Sequence, residues 1–270
     1  MGSEMCIRDR IPVNTTPLAE TTFIDLFAGI GGFRTALESL GSTCVFSSEI
    51  DKHAAQTYYT NYGEYPQGDI TQIAAEDIPD HDILCAGFPC QAFSISGKQL
   101  GFSDTRGTLF FDIARIVKVK KPRVVFMENV KNFATHDGGK TMKVVETTME
   151  QLGYNLYAKV LNAADYGVPQ KRQRIYMVAI RKDVDSGRFK FPSPVELETF
   201  VEDILLDGPV DEKLTNTRWP LQLVREDINE NVANTVRLGS VNKGGQGDRV
   251  YSTKGVGVTL SAQGLSLIHI

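Results

Sequence analysis

The chain has 270 residues, and its 33 acidic and 29 basic side chains give a net charge of −4. A content of 41% hydrophobic and 23% charged residues is ordinary for a globular protein and excludes wholesale disorder. No apolar run approaches the ~20 residues that a membrane helix needs, and no signal peptide is recognisable. We therefore expect a cytoplasmic protein with no membrane partner.

The four cysteines are too few for a disulfide framework in a chain of this length. Cys85 and Cys90 lie five residues apart, and no second Cys or His pair stands near them. We expect reduced thiols and no metal site.

Residues 1–21 are predicted to form a tail before the first element. The first ten of them, MGSEMCIRDR, show no periodicity, and we predict that they are disordered and partly non-native. From Thr22 onward, short apolar runs typical of buried strands alternate with segments of helical spacing. The predicted strands are 23–27, 43–47, 82–86, 123–127, 155–161 and 174–180, and the predicted helices are 33–40, 108–118 and 140–152. This alternation predicts an α/β fold with a mostly parallel sheet and helices on both faces.

The composition changes after about Lys182, where Pro192 and Pro194 indicate a connector. Residues 185–230 carry eleven acidic and five basic side chains, whereas residues 231–260 are rich in glycine and carry four basic side chains and one acidic. We predict a smaller, loop-rich second domain with a basic surface. A local basic surface is compatible with nucleic-acid binding even in an acidic chain.

A glycine turn follows the first predicted strand. Gly29, Gly31 and Gly32 open the next helix, and Glu49 comes twenty residues after Gly29, a spacing at which a carboxylate can accept both ribose hydroxyls of an adenosine. The dinucleotide pattern requires glycine at position 34, where this chain has Arg34, and no P-loop lysine is present. An adenosine cofactor without phosphates fits better, and a plain tight turn is the alternative.

Three further segments carry candidate catalytic groups. Cys90 follows Pro89 on a loop at a strand end, where a cysteine can act as a nucleophile, although a buried structural cysteine is the alternative. Glu128 ends a later central strand and could act as an acid, or it could be a solvated loop residue. In QKRQR (170–174), Arg172 and Arg174 would share one face of an extended segment and could clamp a phosphate or a base edge.

The chain resembles the cytosine-5 DNA methyltransferases in five short motifs that stand in the family's order. These motifs are DLFAGIGGF (25–33), GDI (68–70), GFPCQAFS (87–94), ENV (128–130) and QKRQR (170–174). GGQGDRVYSTKG (244–255) is similar to the recognition region of a bacterial restriction-modification member that methylates GCGC. The resemblance implies a Rossmann-like methyltransferase sheet over residues 22–198 and an incomplete DNA target-recognition domain over residues 199–270.

The resemblance also implies roles in catalysis. Cys90 is implied to be the thiolate that adds to carbon 6 of a flipped-out cytosine. Glu128 is implied to hold the base at N3 and the exocyclic amine, and Arg174, with Arg172, to support the base and the covalent intermediate. The product would be 5-methylcytosine in double-stranded DNA.

The implied cofactor is S-adenosyl-L-methionine. Glu49 would take its ribose hydroxyls, and Asp69 with Ile70 would hold the adenine. The other implied cofactor contacts are Phe27, Gly29, Gly31, Gly32, Ile50, Pro89 and Leu109. At position 50 the GCGC-methylating member has tryptophan, so Ile50 would stack more weakly on the adenine.

For the DNA, the resemblance implies that Ser96 and Gln246 fill the space left by the flipped base and that Arg249 reads a guanine. The other implied DNA contacts are Lys98, Arg237, Lys243 and Thr259. We expect a monomer, and a cognate restriction endonuclease that acts on the same site without necessarily binding this chain.

Three alternative functions follow from the same residues. Family members continue beyond LSA (260–262), so one alternative is a catalytically impaired DNA-binding fragment. A dinucleotide oxidoreductase on the same sheet is disfavoured by Arg34. An RNA methyltransferase is disfavoured because the recognition region resembles a DNA reader.

Overall fold

The computed structural model describes residues 17–89, 109–206, 208, 219–243, 245 and 248–259, together with the backbone of 268–269. Within these residues there are four α-helices: α1 (Gly32–Ser39), α2 (Lys52–Tyr62), α3 (Leu109–Lys120) and α4 (Lys140–Gln151). The first seven strands are β1 (Thr22–Leu26), β2 (Thr43–Ser48), β3 (Ile83–Ala86), β4 (Val124–Val130), β5 (Tyr154–Asn162), β6 (Gln170–Lys171) and β7 (Gln173–Arg181).

Six of these strands form the main sheet, in the order β2-β1-β3-β4-β7-β5. β1 pairs in parallel with β2 and with β3, and β3 pairs in parallel with β4. Because β1, β3 and β4 are parallel neighbours, their carboxyl ends lie at the same edge of the sheet. The predicted α/β class and the largely parallel sheet are confirmed.

Helix α2 was not predicted from the sequence. Its apolar pattern is weak, since Tyr58 is its only buried residue. Its end signals are clear: the Asp51 carboxylate accepts hydrogen bonds from the backbone N–H groups of His53 and Ala54, and Gly63 ends the helix at a φ of 75°. These end signals identify the helix better than its periodicity does.

The core beneath α1 is built from Phe23, Leu37 and Cys85, all buried. Leu18, Phe33 and Phe126 are among the partly buried side chains packed against it, and the rings of Phe33 and Phe126 meet edge to face at 5.0 Å. Leu18, which lies before the first strand, is therefore part of this packing.

The chain divides into two compact units, of which the first comprises Met1–Lys159 and Ile175–Lys190 and the second Val160–Arg174 and Phe191–Ile270. The remaining strands lie in the second unit: β8 (Gln222–Leu223), β9 (Arg237–Ser240), β10 (Arg249–Tyr251), β11 (Gly257–Val258) and β12 (Ile268–His269). They form a four-stranded sheet, β12-β10-β9-β8, and a pair of β11 with β6. The assignment of 22–198 to catalysis and 199–270 to recognition stays a prediction.

None of the helices in the described part of the chain has the length and apolar character that a membrane crossing requires.

Candidate active site

The turn after β1 has an unusual backbone. Phe27 adopts a φ of 55°, which is uncommon for a residue with a side chain, and Gly29 and Gly31 adopt φ values of 57° and 92°. The turn is held by two backbone hydrogen bonds, from Ala28 N–H to the Ser48 carbonyl (2.9 Å) and from Gly31 N–H to the Ala28 carbonyl (2.8 Å). A strained turn at the carboxyl end of a parallel strand is a candidate ligand site.

Glu49 links this turn to the start of α2. Its Oε2 accepts a hydrogen bond from Gly29 N–H at 2.8 Å, and its Oε1 accepts one from Asp51 N–H at 2.8 Å. Each carboxylate oxygen has a second lone pair, so the group can still accept hydrogen bonds from two hydroxyls. This fits the expected partner of a ribose.

The glycine turn has one open side and one packed side. A Cβ added at Gly29 or Gly32 would meet nothing within 4 Å, so a ligand can approach the backbone there. A Cβ at Gly31 would lie 2.2 Å from Tyr62 Cε2, so Gly31 is required by its contact with α2. The open side fits an adenosine-type cofactor.

The expected adenine-binding residues are held by α3. Asp69 accepts a hydrogen bond from Thr71 N–H (3.0 Å), and Ile70 is buried. Arg115 of α3 donates to the carbonyls of Ile70 (2.6 Å) and Ile73 (2.8 Å), which fixes this segment. Two other expected contacts differ in exposure: Leu109 is half-buried at the start of α3, whereas Ile50 is 70% exposed.

The loop that leads to Cys90 is tied to the end of β4. The Asn129 side chain, which is buried, donates from Nδ2 to the Phe88 carbonyl at 2.8 Å. The Phe88 ring is also buried and meets the Phe133 ring edge to face at 5.5 Å. Pro89 follows, exposed, and Cys90 itself lies outside the described residues.

The Glu128 carboxylate faces this same loop. A Cβ built on Gly87 would lie 3.8 Å from Glu128 Oε2, so the carboxylate lies beside the backbone of the segment that carries Cys90. Glu128 follows Met127, which pairs with the last residue of β3, Ala86. The fold therefore brings the carboxylate and the cysteine loop to the same edge of the sheet.

The two predicted arginines of QKRQR lie in the second unit and in different local structures. Arg172 lies between β6 and β7, and its N–H donates to the Gln170 carbonyl (3.0 Å), so the chain turns at Lys171. Arg174 lies at the start of β7 and donates from Nη1 to the Gln173 carbonyl at 2.9 Å. Both side chains are half-buried.

Three of the four described DNA-contact candidates lie on one hairpin of the second unit. β9 and β10 are antiparallel, and Arg237 starts β9 while Arg249 starts β10. Lys243 lies in the connection, which is closed by a hydrogen bond from Val241 N–H to the Asp248 carbonyl (2.8 Å). Arg237 and Lys243 are exposed, and Arg249 is half-buried with an Nε that has no hydrogen-bond partner among the described residues.

Thr259 lies elsewhere in that unit, where its hydroxyl donates to the Lys171 carbonyl at 2.7 Å. Three predicted DNA contacts, Ser96, Lys98 and Gln246, lie outside the described residues, as does most of the predicted tail (residues 1–16).

One buried polar group near the turn, Asp25, was not assigned a role from the sequence. Asp25 on β1 is fully buried, and neither of its carboxylate oxygens has a hydrogen-bond partner among the described residues. Burial raises its pKa well above the ordinary value; the backbone and charge of Arg34 oppose this rise, and the charge of Glu49 adds to it. The sequence signal that could have identified this buried group is a charged residue inside an otherwise apolar predicted strand.

The other described cysteines are poor nucleophiles. Burial raises the pKa of the Cys44 thiol to about 11, and burial raises that of Cys85 well above its ordinary value. Cys44 lies in strand β2 and Cys85 in strand β3. Within the described residues no group of His, Cys, Asp and Glu could hold a metal ion.

The chain is similar in sequence to several type II methyltransferases. The chain is 60% identical to M.HhaI of Haemophilus parahaemolyticus over 254 residues, which is 94% of this chain and 78% of the relative. It is 58% identical to M.NgoBI of Neisseria gonorrhoeae over 172 residues, which is 64% of this chain and 53% of that relative. It thus spans just over half the length of M.NgoBI.

Solved structures support the fold. The crystal structure of the Schizosaccharomyces pombe (S. pombe) Dnmt2 methyltransferase matches with a TM-score of 0.56 and 23% identity, covering 73% of this chain and 66% of that one. A Spodoptera frugiperda DNMT2 mutant matches with a TM-score of 0.59 and 24% identity, over 72% and 61% of the two chains. These structural similarities support the architecture of the chain and nothing further.

The family model described as C-5 cytosine-specific DNA methylase matches residues 21–267. The match includes the glycine turn, the cysteine loop, the strand end at Glu128 and the hairpin of the second unit. The chain belongs to the C-5 cytosine-specific DNA methylase family.

Proposed function

We propose that this chain transfers a methyl group from S-adenosyl-L-methionine to carbon 5 of a flipped-out cytosine in double-stranded DNA, within GCGC. The observation that carries the proposal is the position of the Glu128 carboxylate beside Gly87, at the base of the loop that leads to Cys90. A general acid beside a nucleophile's loop, next to an open glycine turn, supports a reaction between a base and a cofactor.

In the cofactor pocket, Glu49 accepts the ribose hydroxyls while it stays oriented by the N–H groups of Gly29 and Asp51. Asp69 and Ile70 hold the adenine from the segment that Arg115 fixes. Phe27, Gly31, Gly32, Ile50, Pro89 and Leu109 complete the pocket. The bound cofactor supplies the methyl group as an electrophile.

At the base, the Cys90 thiolate adds to carbon 6 of the cytosine, and the electron pair of the 5,6 double bond becomes available at carbon 5. Glu128 holds the base through N3 and the exocyclic amine and donates a proton to N3 as the adduct forms. Once carbon 5 carries the methyl group, N3 returns its proton to Glu128. A base then removes the carbon 5 proton, the thiolate leaves and the 5,6 double bond is restored. Arg174 and Arg172 support the base and the adduct.

The proposed DNA contacts are assigned residue by residue. Arg249 reads a guanine edge. Ser96 and Gln246 fill the space left by the flipped cytosine, and unstacking that base costs a few kcal/mol. Lys98 and Lys243 contact DNA phosphates, and Arg237 and Thr259 are further DNA contacts. We further propose that the chain acts as a monomer, and that a cognate endonuclease cuts the same sequence.

The test is a covalent trap. A GCGC duplex with 5-fluorocytosine at the target should form a denaturation-resistant adduct in the presence of the cofactor. A base cannot remove the fluorine from carbon 5 as it removes a proton, so the thiolate cannot be released. Cys90→Ser should abolish the adduct. Cys44→Ser is the matched control and should retain it, since Cys44 is half-buried in β2 and its thiol has a raised pKa.

Two outcomes would contradict the proposal. If Cys90→Ser still formed the adduct, the nucleophile would be another residue. If the wild-type chain formed no adduct, the covalent route would be wrong. A duplex with a scrambled target should trap far less protein if the specificity is for GCGC.

A further inference from the structure

Helix α2 connects the two halves of the candidate cofactor pocket. Next to its N-terminal end, the N–H of the capping residue Asp51 donates to Glu49. At its C-terminal end, Asn61 donates from Nδ2 to the Ile30 carbonyl (3.1 Å), and the Tyr62 hydroxyl donates to the Gly31 carbonyl (2.7 Å). The same helix thus contacts the ribose-binding carboxylate and the glycine turn.

Tyr62 is itself held tightly in place. Its hydroxyl lies 2.6 Å from the Thr35 hydroxyl, and its ring lies 4.4 Å from the guanidinium carbon of Arg34. The contact with Gly31 is so close that a Cβ there would overlap the ring. The tyrosine therefore transmits the position of α2 to the turn.

The turn needs such support because its backbone is strained. Phe27 carries a side chain at a φ of 55°, a conformation that persists where surrounding contacts impose it, whereas Gly29 and Gly31 adopt their positive φ without strain. Gly29 N–H must point at Glu49 for the carboxylate to keep its orientation. A shift of the turn would therefore move both the open cofactor face and Glu49.

We propose that Tyr62 and Asn61 are positioning residues, which hold the glycine turn in the geometry that binds the adenosine part of the cofactor. They act through the carbonyls of Ile30 and Gly31 and do not touch the cofactor. This inference rests on the proposed function, since it concerns the same pocket.

The test compares Tyr62→Phe, which keeps the ring on Arg34 and removes only the hydroxyl, with Tyr59→Phe. Tyr59 is on the same helix, 41% exposed, and stacks on Tyr65. Calorimetry with S-adenosyl-L-methionine should show about fivefold weaker binding for Tyr62→Phe, as the loss of one hydrogen bond implies, and unchanged binding for Tyr59→Phe. Asn61→Ala, at the exposed end of the helix, should weaken binding in the same direction.

Steady-state kinetics separate positioning from general stability. The KM for the cofactor should rise in Tyr62→Phe while the KM for DNA stays constant, whereas a merely structural role would lower the melting temperature and leave both KM values unchanged. Equal cofactor affinity in the wild type, Tyr62→Phe and Asn61→Ala would overturn this inference and leave the proposed function standing. Failure of the wild-type chain to bind the cofactor would overturn the proposed function itself.

Discussion

Arg34 occupies the position where a dinucleotide-binding turn has glycine, and its contacts explain why glycine could not replace it. Its Nε donates to Glu38 (2.7 Å), its Nη1 donates to Tyr58 (3.1 Å), and it forms an ion pair with Glu64. Burial lowers the pKa of the guanidinium, but hydrogen bonds with these three partners outweigh burial and raise it. The residue joins α1, α2 and the segment after α2.

Arg34→Lys should lower the free energy of unfolding by about 2 kcal/mol, because an ammonium cannot reproduce the planar fork of donors. Urea denaturation measures this change. Arg188→Lys, at an exposed position, should change the free energy by less than about 0.5 kcal/mol. Equal effects of the two substitutions would show that Arg34 acts only as a positive charge.

Asp25 predicts an unusual pH dependence. In β1 it pairs in register with Ser47 of β2 and Cys85 of β3, both buried, and its raised pKa means that the folded chain binds its proton more tightly than the unfolded chain. The unfolded state therefore gains stability relative to the folded state as the pH rises above the ordinary carboxyl pKa of about 3.9.

We accordingly expect the wild-type free energy of unfolding to fall more steeply than that of Asp25→Asn as the pH rises above about 4. Urea denaturation at a series of pH values tests this. Parallel profiles for the two proteins would mean that Asp25 has no raised pKa in the folded chain.

At the scale of the element, α2 depends on its ends because only Tyr58 is buried along its length. The Asp51 carboxylate accepts hydrogen bonds from the N–H groups of His53 (2.9 Å) and Ala54 (2.8 Å). Asp51→Ala should therefore lower the free energy of unfolding by about 1 kcal/mol, and Asp51→Ser, which can cap the helix, should lose less. Equal losses in a denaturant titration would show that the cap contributes nothing specific.

The strands and helices of the main sheet were largely predictable. β1, β3 and β4 are apolar runs in the sequence and are buried in the sheet, and α3 has a buried face of Phe110, Ile113, Ile116 and Val117 at helical spacing. Helix α2 was missed, although Asp51 and Gly63 mark its ends, because its apolar pattern is weak. Its tyrosines Tyr58 and Tyr62 contact Arg34, which lies more than twenty residues earlier. A pattern within the helix cannot report contacts made by residues outside it.

At the scale of the whole molecule, the net charge of −4 conceals an uneven distribution, since residues 231–260 carry four basic side chains against one acidic. Three of these basic residues, Arg237, Lys243 and Arg249, lie on or between β9 and β10. The acidic chain thus presents a local basic hairpin, of the kind that phosphate contacts require.

Arg249→Ala should weaken binding to a GCGC duplex by about 1–3 kcal/mol and weaken binding to a scrambled duplex much less, because a base contact is lost. Lys243→Ala should weaken binding to both duplexes equally. It should also reduce the slope of the logarithm of the binding constant against the logarithm of the salt concentration by about 1. Fluorescence anisotropy at several salt concentrations measures both effects. An equal loss on the two duplexes would make Arg249 a phosphate contact.

The order of the elements, the glycine turn with Glu49 and the cysteine loop followed by Glu128 could all be read from the residues, since short-range patterns and motif order require no knowledge of long-range contacts. Folding alone decided which distant groups meet. Asn129 holds the carbonyl of Phe88, 41 residues away, and Tyr62 supports Gly31, 31 residues away. Such pairs depend on strand order and helix docking, which arise from the burial of the whole core, so no local pattern in the chain could have identified them.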